Sequence, residues 1–233
     1  MKSTTYFSSN SEYLEENPTW HTEDSPWKSS NIKKMITRNN LHPKTIVEIG
    51  CGAGEILNQL HETIEDKSIN FYGYEISPDA FAMTKSREKE RLHFYHEDLL
   101  GKDAFYDLLL MIDVFEHVEG YYDFVRKSAS KATYKIYHIP LAMNASAVIR
   151  NQPIEARKVV GHLHHFMKDT ALSLIEDTGQ EIIDWFYTGS TMAQKNKKFR
   201  TRVMNIPRQI LFKFNKDFTV RLIGGYSLLV LAK

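Results

Sequence analysis

The stretch Val47–Glu55, VEIGCGAGE, places three glycines at alternating positions between a β-rich run and a helical pattern. Glycine has no Cβ atom, so it allows a tight backbone turn and a close approach by a ligand. In an open parallel sheet, ligands bind at the carboxyl ends of the strands. A plain turn needs neither three glycines nor the acidic residue Glu48 inside the strand. The stretch therefore predicts a ligand site directly after the first strand.

Strand-like and helix-like segments alternate along the chain from Thr45 onward. The run TIVEIG is followed by apolar residues at helical spacing, Ile56, Leu57, Leu60 and Ile64. The run YDLLLMIDV is almost entirely apolar, which is typical of a central strand covered on both faces. The alternation predicts an α/β fold: a Rossmann-like, doubly wound, three-layer α/β/α sheet, mostly parallel with a terminal antiparallel strand.

The same patterns give the expected elements and domains. Strands are expected at 45–50, 69–77, 91–98, 106–114, 133–141, 180–188 and 225–233. Helices are expected at 29–41, 53–66, 79–90, 120–130, 167–178 and 203–214. We divide the chain into an N-terminal helical extension or lid, 1–43, and one domain, 44–233. Within that domain we expect an irregular substrate loop at 142–166 and a basic, helical insertion at 195–216.

Bulk composition is that of one ordinary globular domain. The chain has 233 residues, of which 42% are hydrophobic and 25% charged. Its 30 basic and 29 acidic side chains argue against nucleic acid as the main partner, because such proteins carry a basic excess. The single cysteine, Cys51, rules out an internal disulfide and a cysteine-based zinc site. No signal-peptide core or membrane-spanning run is recognisable, so we predict a cytoplasmic protein.

Acidic residues at successive strand ends indicate the kind of ligand. A dinucleotide fingerprint, G-x-G-x-x-G, would require glycine at position 55, where this chain has Glu55. A carboxylate there would repel a pyrophosphate but not a ligand that carries an ammonium and a sulfonium. Glu75 ends the second strand, roughly twenty residues past the glycines, where a carboxylate can accept ribose hydroxyls. Asp98 ends the third strand and could accept an adenine amino group.

Taken together, these motifs resemble the class I S-adenosylmethionine-dependent methyltransferases between Lys44 and about Tyr187. VEIGCGAG resembles their glycine-rich motif, YGYEIS their ribose-binding acid and HEDLL their adenine-binding acid. DLLLMIDVFEHV resembles their fourth motif in the D-x-x-E-H form common among small-molecule methyltransferases. The segments NPTWHTEDSPWKS and GGYSLLVLAK further resemble methyltransferases associated with surface-polysaccharide gene clusters.

The resemblance implies S-adenosyl-L-methionine as cofactor and assigns its contacts. Glu48 would orient the loop and help to bind the cofactor ammonium, and Asp113 would close the methionine pocket. The residues implied to line the methionine part are Gly50, Cys51, Gly52 and Gly54. The residues implied to hold the nucleoside are Glu75 for the ribose and Ile76, Asp98 and Leu99 for the adenine. Cys51 is interpreted as a small filler in the loop rather than a nucleophile.

Histidines dominate the candidates for the acceptor side. Methyl transfer is an in-line displacement, so the protein positions the acceptor and can remove its proton. An imidazole titrates near neutral pH, which favours His117 in DVFEHV and His164 and His165 in GHLHHF as bases. His138 and His162 are further contact candidates. Alternatively, Glu116 and His117 close the cofactor pocket. We predict no metal, because no carboxylates stand at a diagnostic spacing from these histidines.

Two other segments each allow two interpretations. Trp20, His21 and Trp27 either anchor the polar N-terminal extension or form a lid that excludes water from the site. A basic run is either a solvated face or a weak contact for an anionic substrate or a membrane surface, next to an amphipathic helix. Its members are Lys195, Lys197, Lys198, Arg200 and Arg202.

The predicted function is methyl transfer to a small molecule, first of all to a hydroxyl of a saccharide or related metabolite. Transfer to an amine nitrogen is the close alternative. An NAD(P)-dependent sugar reductase or epimerase would need G-x-G-x-x-G, and often Y-x-x-x-K, and neither occurs. A methyltransferase-like module that binds the cofactor without catalysis also fits the motifs. Methylation of nucleic acid is disfavoured, since IDVF stands where NPPY or DPPY would be expected.

Overall fold

A computed structural model of the protein describes residues 19–20, 22–189 and 199–233, with side chains in the last range from 207 onward. The predicted lid residue His21 lies outside the described residues. So do Lys195, Lys197 and Lys198 of the basic run, together with the side chains of Arg200 and Arg202. The predictions for these residues therefore stay predictions.

A seven-stranded sheet forms the centre of the molecule. Its strands are β1 (Thr45–Ile49), β2 (Asn70–Tyr74), β3 (Leu92–Tyr95), β4 (Tyr106–Ile112), β5 (Ala132–Pro140), β6 (Ile182–Thr188) and β7 (Ser227–Ala232). They lie in the order β3-β2-β1-β4-β5-β7-β6. The strands from β3 to β5 pair in parallel, whereas β7 runs antiparallel to both β5 and β6. The predicted mostly parallel sheet with a terminal antiparallel strand is confirmed.

Helices connect the strands. They are α1 (Ser25–Arg38), α2 (Glu55–Thr63), α3 (Pro78–Thr84), α4 (Tyr121–Ala129), α5 (Ala145–Ile149), α6 (Gln152–Val159), α7 (Lys168–Asp177), α8 (Phe199–Phe214) and α9 (Lys216–Ile223). Among the described residues, no helix combines the length and the apolar composition that crossing a membrane requires.

Alternate residues of the strands point into two separate hydrophobic cores. Val47, Leu109 and Met111 face the core that α4, α7 and α9 help to form. Their neighbours Ile46 and Leu110 face the other core, which includes α1 and α2. Helices therefore cover both faces of the sheet, as the apolar central strand predicts. The three-layer α/β/α arrangement is confirmed.

The N-terminal helix α1 is part of one of these cores. Ile32 and Met35 of α1 are fully buried, and α1 packs beside α2 on the same face of the sheet. The boundary that we drew at residue 43 on polarity alone therefore separates a helix from the core to which it contributes. This packing fixes the position of α1 relative to the carboxyl ends of the central strands.

Three elements differ from the expected ones. The helix expected at 79–90 ends at Thr84 and continues only as a 3-10 turn, Lys85–Arg87. The segment 142–166 contains α5 and α6 instead of being irregular, because the Asn144 side chain caps α5 by accepting a hydrogen bond from Ala147 N–H. The helix α9 was not expected; Asn215 caps it in the same way, accepting from Phe218 N–H.

Candidate active site

The glycine loop requires glycine for both conformation and space. Gly50, Gly52 and Gly54 have φ angles of +67°, +54° and +78°, in the left-handed region that L side chains rarely adopt. A Cβ atom on Gly54 would lie 2.5 Å from the Phe94 ring. One on Gly52 would lie 2.7 Å from the side chain of Trp20. The loop thus turns sharply between β1 and α2, as the sequence predicted, and it is buried beneath neighbouring side chains.

We expect Gly54→Ala to destabilise the protein by about 2 kcal/mol or more, because it adds left-handed strain to a collision with Phe94. For a chain of this size, the melting temperature would fall by about 4–8 °C. Gly101→Ala is the matched control, since nothing lies within 4 Å of a Cβ atom at that position. Equal melting temperatures for the two variants, measured by calorimetry, would contradict the proposed requirement for glycine at position 54.

Glu75 holds the loop to the end of the second strand. Its Oε2 accepts a hydrogen bond from Gly52 N–H at 2.8 Å, and its Oε1 accepts one from Ser77 N–H at 2.7 Å. Burial raises the pKa of Glu75, although these N–H donors favour the charged form and oppose the rise. The carboxylate is therefore positioned beside the loop, where its remaining lone pairs can accept further donors.

Cys51 fills space beneath the loop. A Cβ atom on Gly73 would lie 2.8 Å from Cys51 Sγ, so the thiol occupies the room that this glycine leaves in β2. Burial, together with the nearby carboxylates Glu48 and Glu75, raises the pKa of the Cys51 thiol well above its usual value. A buried thiol of high pKa is a poor nucleophile, which supports the interpretation of Cys51 as a filler.

On the adenine side, the predicted contacts have different exposures. Ile76 is 46% exposed, so its apolar side chain is available to a planar ring. Asp98 is exposed, and its Oδ1 accepts a hydrogen bond from Leu100 N–H at 2.9 Å. The side chain of Leu99 is buried in the core, which leaves only its backbone for a ligand.

The charge on Glu55 is compensated within the protein. Arg87 pairs with its carboxylate, and Gln59 donates a further hydrogen bond at 2.7 Å. These hydrogen bonds lower the pKa of Glu55 against the opposing effect of partial burial. The repulsion of a pyrophosphate that we expected from Glu55 is therefore weaker than the sequence alone suggested.

At the end of β4, the carboxylate of Asp113 lies between a lysine and a histidine and contacts both. Its Oδ2 lies 2.8 Å from Lys28 Nζ, and its Oδ1 lies 2.6 Å from His138 Nδ1. His138 Nε2 lies 3.0 Å from the Thr188 hydroxyl. Burial would raise the pKa of Asp113, but His138 and Lys28 hold it well below its usual value. Asp113 has a φ angle of +56°, a strained conformation that these contacts maintain.

Two further carboxyl groups lie beside this network of Lys28, Asp113 and His138. Glu48 and Glu116 are each only 1% exposed. Burial raises the pKa of both well above the usual value; Lys28 opposes the rise, and the charge on Asp113 adds to it. Glu48 Oε2 has no hydrogen-bond partner within the described part of the chain. The ends of β1 and β4 therefore bring carboxyl groups together beside Lys28, an arrangement that favours positive charge.

We expect Glu48→Gln to change the pH dependence of stability. The folded protein holds the Glu48 proton above pH 4.5, so its stability falls as the pH rises from there towards the raised pKa. Removing this group should make the slope shallower by about 1 kcal/mol per pH unit. Urea unfolding between pH 5 and 7 measures the slope. The exposed Glu65→Gln variant should keep the wild-type slope; a Glu48→Gln variant that also kept it would refute the assignment.

Trp20 and the first turn of α1 lie across the carboxyl ends of β1, β4 and β5. The Trp20 side chain contacts the loop at Gly52, and the Trp27 ring meets His138 edge to face, with 5.6 Å between ring centroids. Lys28 of α1 adds its ion pair with Asp113. Both interpretations of this segment, anchor and lid, remain compatible with these contacts.

His117 and His162 meet beside Glu116, although they stand 45 positions apart in the sequence. Glu116 and His117 lie in a 3-10 turn, Phe115–His117, just after β4. The ring centroids of His117 and His162 are 4.8 Å apart, and His162 Nε2 lies 4.0 Å from Glu116 Oε1. The structure thus brings together the two histidine motifs that the sequence singled out.

His164 and His165 lie next to this group. The ring of His164 lies 4.3 Å from that of Tyr121, and the ring of His165 lies 6.2 Å from that of His162. His164 Nε2 and His165 Nδ1 are buried without a hydrogen-bond partner among the described residues. Burial lowers the pKa of His165, with a contribution from His164. His165 therefore favours the uncharged imidazole at neutral pH, the form that accepts a proton.

Two residues of the site were not predicted from the sequence. Lys28 shares the buried face of α1 with Ile32 and Met35, at spacings of four and three residues, and this was the available signal. Thr188 ends β6, the edge strand, and contacts His138 only because β7 returns between β5 and β6. His138 itself is 3% exposed, so in this arrangement it positions Asp113 rather than facing the solvent.

Comparison of the sequence with known families gives one match at this site. Residues 47–135 match the profile of a family described as a methyltransferase domain, and this range covers the glycine loop, Glu75, Asp98, Asp113 and Glu116. No curated protein sequence matches the chain.

Solved structures with the same fold include several methyltransferases. The magnesium protoporphyrin IX methyltransferase of Synechocystis PCC 6803, with bound S-adenosylhomocysteine, is 15% identical with a TM-score of 0.59; the match covers 98% of this chain and 90% of that chain. A chain of the complex between the Haloferax volcanii Trm112 methyltransferase activator and a methyltransferase is 14% identical with a TM-score of 0.67, covering 97% and 98%. The plantazolicin methyltransferase, in complex with a substrate analogue and S-adenosylhomocysteine, is 12% identical with a TM-score of 0.61, covering 99% and 92%. At these identities the structures establish the shared fold.

Proposed function

We propose that this chain, whose residues 47–135 match a family described as a methyltransferase domain, is an S-adenosylmethionine-dependent methyltransferase that acts on a hydroxyl oxygen of a small molecule, a saccharide or related metabolite. S-adenosylmethionine supplies a methyl group already activated on a sulfonium. The chain's own task is to bind this cofactor, to hold the acceptor oxygen in line with the methyl group, and to take up the hydroxyl proton.

The side chains at the ends of β1, β2 and β4 support the proposal of this cofactor. The unpartnered Glu48 Oε2 can accept N–H donors from an ammonium, and the surrounding carboxylates favour its positive charge. Glu75 can accept ribose hydroxyls from its place beside the loop, and Ile76 offers an exposed apolar surface to the adenine. Asp98 would meet the adenine edge, together with the backbone of Leu99.

The main support for a hydroxyl acceptor is a group of histidines beside the buried Glu116. These histidines are His117, His162 and His165. An aliphatic hydroxyl needs a base to accept its proton, whereas many amines are nucleophiles once they are neutral. We assign this role to His165, whose lowered pKa keeps the ring uncharged near neutral pH. His117 and His164 remain candidates, and His138 and His162 would position the acceptor or its partners.

The alternatives make different predictions for the acceptor. An amine nitrogen would use the same pocket without a base, so the histidines would be dispensable for it. A module without catalysis would bind the cofactor and transfer nothing. The reductase or epimerase alternative is not supported, since the family match is to a methyltransferase domain. The acceptors named for the neighbours, a magnesium porphyrin and plantazolicin, differ too widely to select one for this chain.

The proposal is tested by incubating the protein with methyl-labelled S-adenosylmethionine and separate panels of saccharides and amines. We expect labelled methyl ethers from the saccharide panel, identified by fragmentation in mass spectrometry. His165→Gln should lower kcat by about 100-fold or more without weakening S-adenosylhomocysteine binding. The exposed His93→Gln variant is the control. Labelled methylamines would contradict the proposed hydroxyl acceptor. Full activity in His165→Gln would contradict the assignment of His165 as the base.

A further inference from the structure

Glu116 has an unusual environment for a carboxylate. Its side chain is 1% exposed, and neither of its oxygens has a hydrogen-bond partner among the described residues. A buried polar group that is not hydrogen-bonded costs free energy, and a buried charge costs more. Protonation would remove the charge but would leave the acid hydroxyl without an acceptor. The arrangement therefore calls for a ligand that satisfies these oxygens.

Two imidazoles lie within reach of the same point. Ligand atoms of Glu116, His117 and His162 all lie within 4.8 Å of one another. His162 Nε2 is 4.0 Å from Glu116 Oε1, and the two imidazole rings meet at an interplanar angle of 75°. One carboxylate and two imidazoles are a ligand set for divalent transition-metal ions.

Backbone contacts hold these three residues in place. The carbonyl oxygen of Glu116 accepts hydrogen bonds from Leu163 N–H at 2.8 Å and His164 N–H at 3.0 Å. His117 Nδ1 lies 3.2 Å from the carbonyl oxygen of Gly161. If Nδ1 donates to this carbonyl, the Nε2 lone pair is the metal-binding one, which is the usual way in which proteins orient a histidine ligand. The segment with His162 is thus docked onto the turn that carries the other two residues.

We propose that Glu116, His117 and His162 form a binding site for a divalent transition-metal ion of the zinc or manganese type. Around a tetrahedral ion, metal–ligand bonds of about 2.1 Å place the ligand atoms about 3.4 Å apart. The three ligand atoms, which lie within 4.8 Å of one another, would therefore need to close by up to about 1.4 Å. Both histidines are only partly buried, so the ion would be reachable from outside and could take a ligand that the protein does not supply.

The surrounding charges favour a cation at this position. Asp113 places a second carboxyl group near Glu116, and the two repel each other when both are charged, while Lys28 pairs with Asp113. An additional positive charge beside Glu116 would relieve this repulsion. The sequence predicted no metal because the residues at 116–117 and 162 are distant in the chain, and the fold removes that objection.

The role of the ion in catalysis rests on the proposed function. Next to an acceptor hydroxyl, a divalent ion would orient the oxygen and make its proton easier to remove, which complements His165 as base. The binding of the ion does not depend on that role. It is therefore measured without cofactor or acceptor, so the metal site and the methyl transfer can each fail separately.

The test is a titration of the full chain, freed of metal by a chelator, with Co²⁺ followed by visible absorption and with Zn²⁺ followed by calorimetry. We expect one ion per chain with micromolar or tighter affinity. Co²⁺ should give ligand-field bands typical of nitrogen and oxygen ligands. Glu116→Gln and His162→Asn should each weaken binding by about 100-fold or more, since even the groups that orient metal ligands contribute 10–100-fold.

The pair Glu88 and His93, whose Oε1 and Nδ1 atoms lie 3.8 Å apart away from the proposed site, is the matched control. Glu88→Gln and His93→Gln should bind the ion as the wild type does. Melting curves identify a variant that fails to fold, and the second ligand variant then decides the question. No binding by the wild type, or unchanged affinity in a folded Glu116→Gln variant, would overturn the proposal.

Discussion

Glu75→Ala should abolish the binding of S-adenosylhomocysteine, with a loss of at least about 100-fold in affinity. The variant removes a carboxylate placed to accept the ribose hydroxyls, and hydrogen bonds to charged groups contribute about 1.5–3 kcal/mol each. It also removes the acceptor that holds Gly52 N–H at 2.8 Å. Both losses act on the same pocket, so the expected effect is large. Calorimetry with S-adenosylhomocysteine measures it directly.

Glu97→Ala is the control for this measurement. Glu97 is an exposed acid in an ion pair with Lys102, two residues from the end of β3, and its removal should leave binding unchanged. Glu75→Gln separates the two roles of Glu75, because the amide oxygen can still accept Gly52 N–H while the negative charge is lost. Wild-type affinity in a folded Glu75→Ala variant would refute both the ribose contact and the location of the cofactor.

The predicted cofactor side rests on sequence signals that are local, and the structure places its acidic residues at neighbouring strand ends. Gly50 to Gly54 follow a β-rich run directly, and Glu75 stands at the end of the next one. In a parallel sheet, consecutive strand ends lie at one edge, so short motifs suffice to assemble this half of the site. The details missed on this side were also local. Leu99 was assigned to the adenine, and its buried side chain leaves the backbone for such a contact; the pairing of Glu55 with Arg87 was not foreseen.

The rest of the site depends on contacts between distant segments, which a single sequence does not reveal. The meeting of His162 with Glu116 requires the backbone hydrogen bonds that dock residues 161–164 onto the turn after β4. Thr188 reaches His138 only through the antiparallel return of β7. Lys28 gave a helical signal, yet its partner Asp113 lies 85 positions further along the chain.

Lys28→Met should destabilise the protein by about 3 kcal/mol at neutral pH, because it leaves the partly buried Asp113 with His138 as its partner in this network. The corresponding fall in melting temperature is about 6–12 °C. The loss should shrink as the pH falls below 4. Because the pKa of Asp113 is lowered in the folded protein, the wild type also loses the stability that this carboxylate contributes as the pH falls. The difference between the wild type and Lys28→Met therefore becomes smaller. Thermal melts from pH 3 to 7 measure both effects.

Lys44→Met is the matched control, since Lys44 forms an ion pair with Asp66 in which both side chains are about half exposed or more. Such pairs contribute at most about 1 kcal/mol. Adding Asp113→Asn to Lys28→Met should recover part of the lost stability, because the uncompensated charge is then gone. If Lys28→Met costs no more than Lys44→Met, the buried ion pair does not form in solution. In that case α1 would contribute its apolar face to the core without supplying a charge to the site.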